Sequence, residues 1–289
     1  MRCAEPVQGR YHCAAAASLA LGARLHLTGS PPQNSQSYPS FPMPASTTSV
    51  VANVEVHAFE TVVILSNCWV AADGTPPPIP CGVLFDTPRL HGGPSLQRLL
   101  SGADITGLSS VAVLAKAGTL LRRIIWFTGS NESAPDLVMF SSLERRLLAF
   151  RAQLPPLPGD QVLILTHAHT DLALLRLHAP YSSTWEHSRS QALAACARII
   201  EGIKGLQRIK PRYIDPVFGP IYWTIANVYI SEITLASQRA PEFNFPNNAP
   251  NMHAELSQLR AWLTWLAPHS PIFDRCLVDI TMAVDKFSH

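Results

Sequence analysis

The stretch VLILTHAHTDLALLRLHAPY, residues 162–181, decides the fold because it admits two readings. An apolar run entering THAHTD has the outline of a metal site, with His167 and His169 on one ion and Asp171 on a second. The same run reads as an unbroken amphipathic helix. Val162, Leu165, His169, Leu172, Leu175 and Ala179 then make a broad core stripe.

Geometry separates the two readings. A binuclear metallohydrolase needs another histidine at position 172 and strand-rich flanks, but Leu172 stands there and the neighbours carry helical periodicity. At about 100° per residue, helical His167 and His169 lie about 200° apart and cannot share an ion. His167, Asp171 and His178 fall within about 40° of one another, so one helical face can offer zinc three ligands. The structural alternative is a local His167–Asp171 pair, with His178 hydrogen-bonded to a neighbouring helix. The segment is read as a helix, opened by Asp160 and stopped by Pro180.

Helical periodicity extends along most of the 289 residues. An alanine- and leucine-rich helix is expected over 10–27. Residues 31–53, rich in proline, serine and threonine, are expected to form a disordered loop. Residues 54–72 fit either strand or helix, and 74–90 are irregular and proline-rich. From residue 94 the helix signals strengthen, with a helix over 108–128 and a capping box from Ser133 to Asp136 opening the next. Leu137, Phe140, Leu143, Leu147, Phe150 and Leu154 form the inward stripe of that helix, which ends at Pro155-Pro156. Later stripes run through Leu193, Cys196, Ile200, Ile203 and Leu206, then Phe218, Ile221, Ile225 and Tyr229, with Pro220 a point of kinking. Met252 to Leu266 and Phe273 to Val284 supply the last two. The expected architecture is all-α, one domain of roughly eight to ten packed helices.

Composition narrows the function classes. Hydrophobic residues make up 47% and charged residues 15%, enough for a core, and the net charge of +2 is not gathered into a basic face. Six cysteines lie far apart with no CxxC pair, which suits free thiols in a reducing compartment. No apolar run reaches the ~18–20 residues of a membrane span. The segment CAAAASLALGA, 13–23, imitates a signal peptide's apolar region, but Glu5, Pro6 and His12 make a poor leader, leaving cytosol or nucleus. GxSxG, P-loop and GxGxxG motifs are absent from the sequence. No catalytic, cofactor-binding or metal-binding residue is assigned.

The serial order of segments adds a resemblance. GRYHCAAAASLALGARLHL (9–27), HAFETVVILSNCWVAADGTPPPI (57–79) and FDTPRL (85–90) are followed by GGPSLQRLLSG (92–102) and VAVLAKAGTLLRRI (111–124). LTHAHTDLALLRLHAPY (165–181), ALAACARIIEGIKGL (192–206) and DPVFGPIYWTIANVYI (215–230) complete the series. Together they resemble the fungal-specific transcription factor domain, the regulatory region behind binuclear zinc-cluster DNA-binding modules, in its basidiomycete-like form. Cys68-Trp69 and Gly74-Thr75-Pro76 carry the second signature, with Ser66-Asn67 departing from the charge usual before Cys-Trp.

The resemblance implies a nuclear, non-enzymatic regulator of RNA polymerase II transcription. It responds to a small-molecule effector, a protein partner or a second copy of itself. Residues 1–30 correspond to the N-terminal helix of the family domain, 31–53 to a loop and 54–289 to the remainder. The cysteine-rich zinc cluster is not in this sequence, so the chain is expected to be N-terminally truncated. It is expected to hold no cofactor and to make no sequence-specific DNA contact, zinc belonging to full-length members. The alternatives are a metal-dependent hydrolase using His167, His169 and Asp171, or a stand-alone small-molecule-binding helical module.

Overall fold

The computed structural model describes residues 4–23, 25, 49–73, 79, 105, 109–130, 136–157, 160–209, 218–238 and 249–287. Among these residues the protein is all-α, with nine α-helices and no strand. They are α1 (Ala4–Gly22), α2 (Ser49–Asp73), α3 (Ser110–Ser130), α4 (Leu137–Gln153) and α5 (Gln161–His178). After a 3₁₀ turn at Ala179–Tyr181 come α6 (Glu186–Ile209), α7 (Phe218–Gln238) and α8 (Ala249–Leu266). A second 3₁₀ turn, Ala267–His269, leads into α9 (Pro271–Phe287).

Side chains that satisfy the first backbone N–H groups fix where several helices start. Asp160 Oδ1 accepts from Leu163 N at 2.8 Å and opens α5. Asp136 Oδ1 accepts from Val138 N at 2.9 Å and Met139 N at 3.1 Å, so Asp136 itself is the cap of α4. This replaces the capping box expected from Ser133, a residue outside the described set. Ser109 Oγ accepts from Ala112 N at the start of α3. Ser270 Oγ accepts from Ile272 N at the start of α9, where Pro271 occupies a position that needs no N–H.

Several features differ from expectation. The polar composition of 31–53 suggested a loop throughout, yet α2 begins at Ser49, because VVANV shares the apolar helical pattern of residues 54–72. Residues 31–48 lie outside the described residues. The 54–72 ambiguity resolves to helix. The N-terminal helix ends at Gly22 instead of 27. Pro220, in the first turn of α7, has no intrahelical N–H bond to break and so carries no kink penalty. Leu137, expected inward, is 60% exposed because it begins α4 outside the core.

Helix α5 is the axis of the fold. It packs most extensively against α3 on one side and α6 on the other, with α4 also against it. Helix α2 covers α3, and α1 covers α2. The pairing of α2 with α3 is close: a Cβ on Gly118 would stand 3.1 Å from Asn67 Cβ, so the absent side chain sets the approach. Helices α7, α8 and α9 pack on one another, and α7 joins that trio to α2 and α6. One apolar cluster runs from Leu114 on α3 to Ile280 on α9. No described helix is long and apolar enough to cross a membrane.

Candidate functional site

Because α5 is surrounded, most of its polar side chains lie buried and must find a partner or bear a desolvation cost. In the first three turns Thr166, Thr170 and Asp171 find them. Thr166 Oγ1 donates to Val162 O at 2.8 Å and Thr170 Oγ1 to Thr166 O at 2.7 Å, returning their hydroxyls to the helix's own carbonyls. His167 Nε2 lies 2.8 Å from Pro155 O. His169 faces another way and sets Nε2 3.8 Å from Cys68 Sγ on α2. The expected pairing of His167 with Asp171 does not form. Asp171 Oδ1 instead accepts from Arg151 Nε at 3.0 Å and Arg198 Nε at 2.7 Å, pinning α4 and α6 to α5. His167, His169 and Asp171 thus engage three different surroundings, and His178 sits with none of them.

The last turn of α5 is different. Arg176 is partly buried, and its Nε has no hydrogen-bond partner. Desolvation lowers its pKa from the usual arginine value, and no charge among the described residues offsets that effect. It lines a cleft of about 370 Å³ with Thr128 of α3, Ser182 after the 3₁₀ turn, and Trp223, Thr224 and Asn227 of α7. A cleft of that size falls in the range of small-molecule sites, and mixed apolar walls with a few polar groups are typical of them. A second cleft, about 420 Å³, lies between the starts of α3 and α5. Its one carboxylate, Asp160, already caps α5.

Two residues on, His178 is fully buried with Nδ1 3.2 Å from Ser188 Oγ. This meets the expectation of a bond to a neighbouring helix, since Ser188 belongs to α6. Burial, which outweighs the opposing pull of Glu144, lowers the His178 pKa to about 4 and keeps the ring neutral near pH 7. Its Nε2 makes no hydrogen bond and lies 3.5 Å from Glu144 Oε1 of α4. The same carboxylate oxygen lies 2.6 Å from Nε2 of His187, the second residue of α6.

Arg176 was not singled out, although a guanidinium between Leu175 and Leu177 was legible as an oddity. Its cleft was not, because Thr128, Trp223 and Asn227 come from distant stretches. Glu144, His178 and His187 follow no motif spacing, and only His178 drew notice. No family model, curated protein or solved structure matches the chain.

Proposed function

We propose that this chain is a non-enzymatic, effector-responsive helical regulatory module whose effector is a small molecule carrying an oxyanion on an apolar body. The resemblance to the regulatory region of fungal zinc-cluster transcription factors supplies the wider setting. In that setting the module acts in the nucleus and modulates transcription by RNA polymerase II through a partner or a second copy, without reading DNA itself. The observation that carries the reading is Arg176, a guanidinium desolvated in a cleft with its Nε unbonded. A desolvated, uncompensated cation is costly, and a carboxylate or phosphate offers the planar fork two parallel hydrogen bonds. Trp223 supplies a flat apolar wall, while Thr128, Thr224 and Asn227 supply hydrogen-bonding groups around it.

Thermal-shift titration with benzoate, octanoate and phenyl phosphate tests this, with benzyl alcohol as the uncharged control. Supporting results are a concentration-dependent rise in Tm with at least one anion, none with the alcohol, and loss of the rise in Arg176→Gln. A carboxylate-only response identifies an organic acid, and a phosphate-only response a phosphoryl compound. Equal responses in wild type and Arg176→Gln, or none to any anion, would remove the proposal. The hydrolase alternative gains no support from His167, His169 and Asp171, which turn to three different surroundings: Pro155, Cys68 and two arginines.

A further inference from the structure

We propose that Glu144, His178 and His187 hold a zinc ion that clasps α4, α5 and α6 at the C-terminal end of α5. Their ligand atoms, one carboxylate oxygen and two imidazole nitrogens, all lie within 4.8 Å of one another. Donor atoms around a tetrahedral zinc stand about 3.3 Å apart, so the 3.5 Å between His178 Nε2 and Glu144 Oε1 already has the required span. The 2.6 Å contact between His187 and Glu144 has to open by about 0.7 Å to reach that separation. His187 is free to make that move, being 62% exposed at the solvent edge.

The interior side of the cluster points to a cation independently. His178 Nε2 is buried, faces a carboxylate oxygen, and yet makes no hydrogen bond to it. Nδ1 is held 3.2 Å from Ser188 Oγ, which turns the Nε2 edge toward Glu144; in the tautomer that donates Nδ1–H to Ser188, Nε2 offers its lone pair there, and two facing acceptors need a positive charge between them. That arrangement, in which a second group fixes the tautomer of the ligating imidazole, is how metal-bound histidines are ordinarily held. The ring is also fixed in place. Phe140 meets it edge-on with centroids 5.3 Å apart and contacts Tyr181 and Trp185, which stack on each other. The two-imidazole, one-carboxylate donor set suits zinc and leaves a fourth position for water. The site is distinct from the THAHTD arrangement: it shares none of His167, His169 and Asp171. It is also separate from the Arg176 cleft, so neither proposal depends on the other.

The test uses the full chain, stripped with chelator and titrated with zinc chloride. Metal analysis after dialysis reads stoichiometry, and Tm reads the clasp. One zinc per chain and a Tm that climbs with zinc are expected. His187→Ala, at an exposed position that leaves the fold intact, is expected to weaken zinc binding about 100-fold or more. Ser188→Ala, which frees the tautomer but keeps every ligand, is expected to weaken it about 10–100-fold. A zinc-insensitive Tm would overturn the proposal. So would unchanged affinity in both His187→Ala and Glu144→Gln, since the ion would then sit elsewhere.

Discussion

The first three turns of α5 and its last turn present the same chemistry under opposite conditions. In the first stretch a buried carboxylate, Asp171, meets two guanidinium groups. In the last, a guanidinium, Arg176, meets no carboxylate among the described residues, and His178 turns an unbonded nitrogen toward one. Both regions sit on one helix and inside one core, so burial alone does not distinguish them. What differs is whether the charged group is satisfied by the chain itself, as Asp171 is and Arg176 is not. A satisfied buried group reads as architecture. An unsatisfied one is a standing free-energy cost that a ligand can relieve.

The contrast breaks most visibly at Asp171. Asp171→Ala leaves Arg151 and Arg198 facing each other without a counter-charge beside a buried helix. Removing one partner of a buried ion pair typically costs about 3–5 kcal/mol, and the partial exposure of both arginines places this case near the lower end. The expected drop in Tm is roughly 6–12 °C, read by calorimetry or circular dichroism. A drop of only a degree or two would show that the pair is a surface contact.

Next in size is the acid response of the last turn. His178 titrates at about 4 in the folded chain and near 6.5 when unfolded, so between those values the unfolded chain binds the extra proton. Stability attached to this group is therefore full above pH 6.5 and falls as pH drops toward 4, by up to about 3 kcal/mol. Urea denaturation of chelator-treated protein at pH 7.0, 6.0 and 5.0 measures it. In His178→Phe, which keeps an aromatic ring against Phe140, the slope over that window should flatten; an unchanged slope assigns it to other histidines.

Much of this was legible before any coordinates, and the limits have physical causes. The helical reading of residues 162–181 rests on a periodicity that any 3.6-residue turn imposes, and Asp160 announces its start. Local rules also placed the stripes of α4 from Phe140 to Leu154, α6 from Leu193 to Ile203, α8 and α9. The partners of Asp171 were invisible because Arg151 and Arg198 arrive on separate helices, and the local candidate, His167, lost to stronger cationic donors. Composition misled at residues 49–53, where the loop-like character of the preceding stretch was carried too far. The Arg176 cleft and the Glu144–His178–His187 cluster are products of tertiary packing, with no spacing to betray them.

The smaller effects sharpen the comparison. Gly118→Val pushes a branched side chain against Asn67, and overpacking of this kind commonly costs about 1–3 kcal/mol. Arg176→Met should do the reverse of Asp171→Ala: Tm unchanged or raised, with a gain of about 1 kcal/mol at most, because an uncompensated charge is replaced by a chain of similar length. A loss greater than about 1 kcal/mol would mean that Arg176 serves the fold.

The contrast on α5 between a satisfied carboxylate, Asp171, and an unsatisfied guanidinium, Arg176, is tested most directly by NMR of arginine Nε–H groups during titration with octanoate and phenyl phosphate. The expected result is that the Arg151 and Arg198 signals, held by Asp171, stay fixed. The Arg176 signal should move downfield with at least one of the two anions. An Arg176 signal indifferent to both, or one that moves no more than the other two, would contradict it.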